Sequence, residues 1–352
     1  MPSEQQIGFG TEAAWASEWL DTPSGCFSPS GNALAIRPRT ITAYLRCLEV
    51  HFSDGREPVR WQQGSDSEEE TGLVVPLAWA SDDELIFYVA GQPVGPDEHT
   101  SVQCLSVSSG RTRIVLESED TMSVSQGGET GHLSILMEPA GGKAALFDLD
   151  VAAARLRHLS EFDRALNGLK IYPLFGHAWY ASRQEVVVIG WPEGEYLDPA
   201  TEPTRHNSQW SPIFGAPKDE KHKTPSRAFL LGATGERIEV PNTYGANHPL
   251  WSADGSLLSV ERFEHYDPQI PHASINGIWT ARHDDLSVTR LGGCGYVEAT
   301  LMHPGNLMFC HLEDEPVADS RDRARVSGSA RWRTFQIRDG EAREMPGRPN
   351  AR

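Results

Sequence analysis

Two of the 13 histidines in the sequence share a local spacing: His177 stands three residues before Tyr180, and His248 three before Trp251. Imidazole offers two chemistries. A neutral ring nitrogen binds Mn, Zn, Cu or Ni, and a ring with a pKa of about 6.5 acts as a general base near neutral pH. His265 and His272 bracket a short segment just beyond His248, with Glu264 and Asp267 beside them to complete a coordination shell, and His311 follows later. An anionic substrate calls for guanidinium groups, which meet carboxylates in bidentate fashion. Arg262, Arg37 and Arg205 are the candidates, with Arg39 and Arg227 nearby in the same pattern. The chain contains no H-E-x-x-H, G-x-S-x-G, P-loop or G-x-G-x-x-G segment. Any site must therefore be assembled from residues far apart in sequence.

The elements that would assemble it show in the turns. The 32 glycines and 24 prolines fall between short apolar or alternating runs, which reads as many short strands. Helical period is confined to 12–20 and to 151–166, where Ala152, Ala153 and Ala154 favour a helix. A strand ending in a Gly- or Asp-containing turn, followed by a short basic strand, recurs at 48–56, 105–111, 229–237 and 335–341, with weaker copies at 147–150 and 281–285. Asp-Gly and Ser-Gly turns suit tight hairpins because glycine accepts positive φ. Before these copies stands a second signature, an apolar or aromatic strand, a turn and an apolar strand, at 26–36, 78–88, 179–188, 249–260 and, shortened, 302–309. The stretch 121–148 fits that slot poorly.

Two hairpins per unit predict one all-β domain over 1–352, a six-bladed β-propeller with four-stranded antiparallel blades. Seven blades are possible if the N-terminal segment or 170–176 supplies further strands. The termini are expected to meet, with 7–19 or the last Arg-rich segment completing a shared blade. In such a blade the B–C and D–A connections emerge on one face. The A–B and C–D turns are tight here, whereas the B–C connections at 93–100, 192–226, 264–274 and 313–329 are long. The loop insertion at 192–226, of 35 residues, has a length that commonly carries function. His99, His177, His206, His222, His248, His265, His272 and His311 fall near that face. From the innermost strands, His177 and His248 are expected to point into the channel mouth.

Trp251-Ser252-Ala253-Asp254-Gly255 and Phe27-Ser28-Pro29-Ser30-Gly31 resemble the TolB-type propeller repeat. The stretches 247–255 and Met308-Phe309-Cys310-His311 are locally similar to oligogalacturonate lyases. The first resemblance implies the fold. The second implies lyase chemistry and a His-containing metal site at the channel mouth, with His248 and His311 as ligand positions.

Composition narrows the classes. The 31 basic and 49 acidic residues leave a net charge of −18, which excludes a general nucleic-acid or anionic-membrane binder. No apolar run approaches the roughly 18 residues of a membrane-spanning helix. The acidic start lacks the apolar stretch of a secretory signal. The five scattered cysteines form no CxxC pair, as in a cytoplasmic protein with reduced thiols. The acidic run 65–70 reads as a solvated loop.

The functional expectation is a cytoplasmic enzyme with a His-rich pocket at the channel mouth, performing lyase-type proton abstraction and elimination on a small polar or anionic, carbohydrate-like substrate. His177, His248, His265 and His272 are its expected catalytic groups, and Arg262, Arg37 and Arg205 its substrate-binding groups. His177, His248 and His311 are expected to hold a divalent transition metal, if the cluster works as a metal site rather than a base. The alternative is a non-catalytic scaffold that binds a protein or peptide partner on the loop face. Taken singly, a histidine reads more readily as a surface or structural residue; the pair His177 and His248 reads equally well either way.

Overall fold

The computed structural model describes residues 25–37, 46–63, 73–90, 100–118, 120–127, 129–138, 143–171, 176–193, 226–265, 275–294, 300–312 and 331–345. These form six antiparallel sheets, each built from strands consecutive in the chain. Blade I holds β1 (Gly25–Phe27), β2 (Ala33–Ile36), β3 (Arg46–Phe52) and β4 (Val59–Gln63). Blade II holds β5 (Leu73–Trp79), β6 (Glu84–Ala90), β7 (Thr100–Ser106) and β8 (Arg111–Ser118). Blade III holds β9 (Thr121–Gln126), β10 (His132–Glu138), β11 (Ala145–Asp150) and β12 (Arg155–His158). In blade IV, β13 (Leu169–Ile171) and β14 (His177–Tyr180) both pair with β15 (Glu185–Pro192), which is followed by β16 (Arg227–Gly232) and β17 (Arg237–Glu239). Blade V holds β18 (Ala246–Trp251), β19 (Leu257–His265), β20 (Ile275–Arg282) and β21 (Val288–Cys294). Blade VI holds β22 (Thr300–His303), β23 (Leu307–Leu312), β24 (Arg331–Arg338) and β25 (Glu341–Glu344).

The inner strands β1, β5, β9, β14, β18 and β22 each pack against the next, and β22 returns to β1, so the six sheets close a circle. The stretch 170–176 adds no blade. Its strand β13 pairs with Gly190–Pro192 while β14 pairs with the beginning of β15, so the two are halves of one interrupted inner strand. The segment 121–148, a poor fit to the repeat, supplies three strands of blade III. The helical expectation over 151–166 is corrected. Ala154 takes φ +48 in the β11–β12 turn, and only the four residues Asp163–Leu166 form an α-helix (α1). Cross-strand pairing of Arg155–His158 with β11 outweighs the helix preference of three alanines. The segment 7–19, expected to share a blade with the C-terminus, lies outside the described residues.

The hydrophobic core is divided among the six seams between neighbouring sheets. This explains why Val186, Val187, Val188 and Ile189 run without a polar break. Val186 and Val188 pack towards blade III, and Val187 and Ile189 towards blade V. Each such fully buried side chain contributes about 1.5–3 kcal/mol. Blades VI and I join in the same way, with Phe27 stacked on Phe309 at 5.5 Å between centroids.

The glycine of the repeated turn has a packing reason. Gly255, at φ +65, lies beneath the Tyr180 ring of the preceding blade, and Gly31, at φ +75, beneath the His303 ring. A Cβ at either position would collide with that ring. The aromatic rings near the ends of these inner strands therefore serve interblade packing.

Candidate functional site

Strand direction places the beginnings of the inner strands and the ends of the second strands on one face, together with the long connections. His177 begins β14 at this face, but its ring turns away from the channel mouth. It is buried in the seam between blades III and IV, with Nδ1 2.7 Å from Ser123 Oγ on β9 and Nε2 2.9 Å from Ser134 Oγ on β10. Burial pushes the imidazole down to about 3. At neutral pH the ring is uncharged, with one nitrogen donating to a serine oxygen and the other accepting from a serine hydroxyl. A base of that strength takes no proton from a substrate near pH 7. Both nitrogens are occupied within the seam, so the ring does not fit a metal ligand at the mouth.

His248 stands in a bulge. Asn247 pairs with Glu261 and Leu250 with Ser259, leaving His248 and Pro249 together opposite Val260, with His248 at φ +44. The bulge keeps His248 level with His177 along the inner strands, and its backbone passes beside Gly176. The two imidazoles nevertheless belong to different seams, because His177 faces blade III and His248 rides on blade V. His311 lies near the end of β23, edge-on to Trp332 at 5.3 Å. His265 ends β19. His272, Arg205, His99, His206, His222, Asp267 and Arg39 lie outside the described residues. Among the described residues, no group of three or more His, Cys, Asp and Glu is placed to hold a metal ion. The described histidines thus do not fit the transition-metal centre that the lyase resemblance implies.

The guanidinium groups are better organised. Arg262 on β19 donates from Nη1 to the Asn242 carbonyl at 2.9 Å, and its guanidinium carbon lies 4.7 Å from the centroid of the Trp279 ring. Arg227, the first residue of β16, places its guanidinium carbon 5.3 Å from the Tyr244 ring centroid and Nη1 3.4 Å from Glu239 Oε2. Asn242 and Tyr244 belong to the single connection between β17 and β18. Two cations therefore flank one linker on the loop face, each held against an aromatic plane. Arg37 follows β2 of blade I, three blades round the ring from Arg227.

Two further groups were not evident from sequence. Glu138 ends β10 on the loop face, and burial raises its carboxyl pKa despite the opposing charge of Lys170. The second is a polar cluster in the seam between blades V and VI. Asn247, Ser259, Glu261 and Thr300 are buried there, all at 3% exposure or less. Glu261 and Cys310 feel each other across the seam: burial first, then the Glu261 charge, raises the Cys310 thiol pKa. Only strand pairing brings these residues together, and spacing along the chain carries no trace of it. The five histidines away from the loop face serve structure. His51 meets Glu49, His132 meets Asp148, His158 meets Asp163, His283 meets Glu185 and His303 meets the Gly31 carbonyl.

The fold and its seams define a six-bladed β-propeller with a loop face that carries preset cations. Among solved structures the chain is similar to TolB from Acinetobacter baumannii, at 10% identity over 91% of this chain and a TM-score of 0.52. It spans 65% of the length of that TolB. It is also similar to the β-propeller domain of the Trilobed protease from Pyrococcus furiosus, at 12% identity, 91% and 82% coverage of the two chains and a TM-score of 0.48. An oligogalacturonate lyase in complex with manganese matches at 12% identity, 93% and 77% coverage and a TM-score of 0.46. No family model matches the chain, and no curated protein matches it in sequence. At these identities the likeness is one of fold, the TolB-type propeller. No helix among the described residues is long and apolar enough to cross a membrane.

Proposed function

We propose that the loop face between blades IV and V binds a small anionic, carbohydrate-like molecule, and that the protein acts on it by lyase-type elimination. The observation that carries this reading is the pair Arg227 and Arg262, held on either side of the 240–245 linker by Tyr244, Trp279 and the Asn242 carbonyl. Guanidinium groups fixed before the ligand arrives lose little freedom on binding it, and their planar forks match a carboxylate. His248 is the proposed base, since its strand begins at Ala246, the cross-strand partner of Arg262. The base removes the proton α to the substrate carboxylate. The C–H electron pair becomes a C=C bond, the β C–O bond breaks, and the departing oxygen takes a proton from solvent. His265, three residues beyond Arg262, and His272 are proposed assisting groups, with Arg205 and Arg37 as further anion contacts. His177 stands outside this chemistry. The buried free thiols of Cys47, Cys104 and Cys310 support a reducing, cytoplasmic compartment.

The test is thermal stability with and without digalacturonate, read beside the ultraviolet absorbance of the unsaturated product. The reading expects a rise in melting temperature that Arg262→Ala abolishes, and absorbance growth that His248→Ala stops. Unchanged melting of the intact protein with digalacturonate would refute it. A protein partner that is lost when 194–225 is deleted, in a chain indifferent to uronates, would establish the scaffold reading instead.

A further inference from the structure

The seam between blades IV and V is closed by different chemistry at its two ends. At the loop face Arg262 holds the Asn242 carbonyl. At the opposite face, the one with the tight turns, four charged or titratable side chains meet across the two blades. His283, in the turn after β20, donates from Nε2 to Glu185 Oε2 on β15 at 2.6 Å. Arg183, in the turn between β14 and β15, brings Nη1 to 2.7 Å from His283 Nδ1 and 3.4 Å from Nε2. Nearness to both ring nitrogens puts the guanidinium over the imidazole, not in line with one lone pair. The fourth member is Asp284, whose Oδ1 lies 3.8 Å from His283 Nδ1 and 4.0 Å from Arg183 Nη2. Tyr180 on β14 and Trp251 on β18 flank the ring at 6.3 and 5.6 Å between centroids, and the Tyr180 hydroxyl donates to the Asp254 carbonyl. Asp285, next in the turn, faces Ser287 and Arg282. The His283 side chain is 8% exposed and that of Arg183 49%.

We propose that this link is a pH-operated latch between blades IV and V. A neutral imidazole tolerates a guanidinium against it. An imidazolium does not, because like charges 2.7 Å apart in a partly buried seam repel with little screening. Histidine is the side chain whose charge ordinarily changes between roughly pH 5 and 8. Nε2 carries the proton given to Glu185, so acidification adds a solvent proton at Nδ1. The charged ring then repels Arg183, and the new N–H turns to Asp284. Glu185 keeps Nε2, so blade IV holds His283 by one side chain in place of two, and the half-exposed guanidinium swings out into solvent. The latch lies at the far end of the seam from the 240–245 linker, and its test does not depend on uronate binding.

The experiment follows the full chain by nitrogen-15 NMR from pH 8 to pH 5, with the His283 ring and the Arg183 Nε–H signal assigned by through-bond correlation to their backbones. At pH 8 the His283 ring should be the neutral tautomer protonated at Nε2. As it titrates, the Arg183 signal should move with the same midpoint. Arg183→Gln removes the opposing charge and should raise that midpoint by about 0.5–1 unit, while Asp284→Asn should lower it by a similar amount. A His283 ring that does not titrate over this range overturns the proposal, as does a ring protonated at Nδ1 at pH 8. An Arg183 signal that stays still while His283 titrates also overturns it, and so does a midpoint that Arg183→Gln leaves unchanged or lowers.

Discussion

Between blades III and IV, two serines close on a buried neutral imidazole; between blades V and VI, the same three positions carry an amide, a hydroxyl and a threonine too short to bridge them, and Glu261 stands where the first seam has Leu136. In the first seam each polar atom of the trio has its partner, so the group is a polar plug in an otherwise apolar interface. In the second, leaving a buried polar atom unmet costs about 1–3 kcal/mol. Asn247 Oδ1, Ser259 Oγ and Thr300 Oγ1 lie there, a load that ordered water commonly offsets. A repeat fold can thus spend one seam on structure and keep the equivalent seam chemically open. Position in the repeat does not say which is which; side-chain length at one slot does.

The largest effect expected from breaking this contrast comes from His177→Ala. It empties the plug and strands two serine hydroxyls, with a cost of about 3–5 kcal/mol in guanidinium unfolding at pH 7. A loss below about 1 kcal/mol would mean that the imidazole does not hold the seam.

Next in size is pH. The native His177 titrates at about 3, against about 6.5 for an unfolded histidine, so the unfolded chain takes the proton first. The stability gained by keeping the ring neutral is complete above the unfolded value and drains away as pH falls towards 3. Between pH 7 and pH 5 the intact protein should lose about 2 kcal/mol more than His177→Gln does. His51, also lowered by burial, contributes to the slope in both proteins, so their difference isolates His177. Parallel slopes would place that ring in water.

How far the sequence carries this picture depends on what each residue had to reveal. The hairpins were legible because turn chemistry is local: Asp254-Gly255 and Asp339-Gly340 announce themselves through glycines at positive φ. The blade count followed from those turns. The helix read into 151–166 failed because a fourth strand needs a partner only the tertiary fold supplies. At the site, spacing put His177 and His248 at the correct level of the inner strands. It could not say which seam each would face, since neighbouring residues of a strand point to opposite sheets. The bulge at His248 and Pro249 is invisible to a count of residues. Asn247, Ser259, Glu261 and Thr300 come from three strands and carry no common motif, so only pairing register unites them. The sequence offers Arg227 and Arg262 only as cations near one face; the aromatic planes that hold them come from other strands and linkers.

Serine truncation separates the two seams at a smaller scale. Ser134→Ala leaves a buried nitrogen of His177 unmet and should cost about 1–3 kcal/mol. Ser259→Ala removes a hydroxyl that has no partner and should cost under about 0.5 kcal/mol. Equal losses in denaturant titrations of the two variants would erase the asymmetry between the seams.

The smallest expected change is also the sharpest test, because it turns one seam into the other. Thr300→His places an imidazole in the slot that His177 fills in its own seam, within reach of Ser259 and Asn247. If the space is there, the ring supplies a donor and an acceptor to oxygens that lack them, and stability rises by about 1 kcal/mol. A loss of more than about 2 kcal/mol would signal overpacking and show that the seam has no room for the ring.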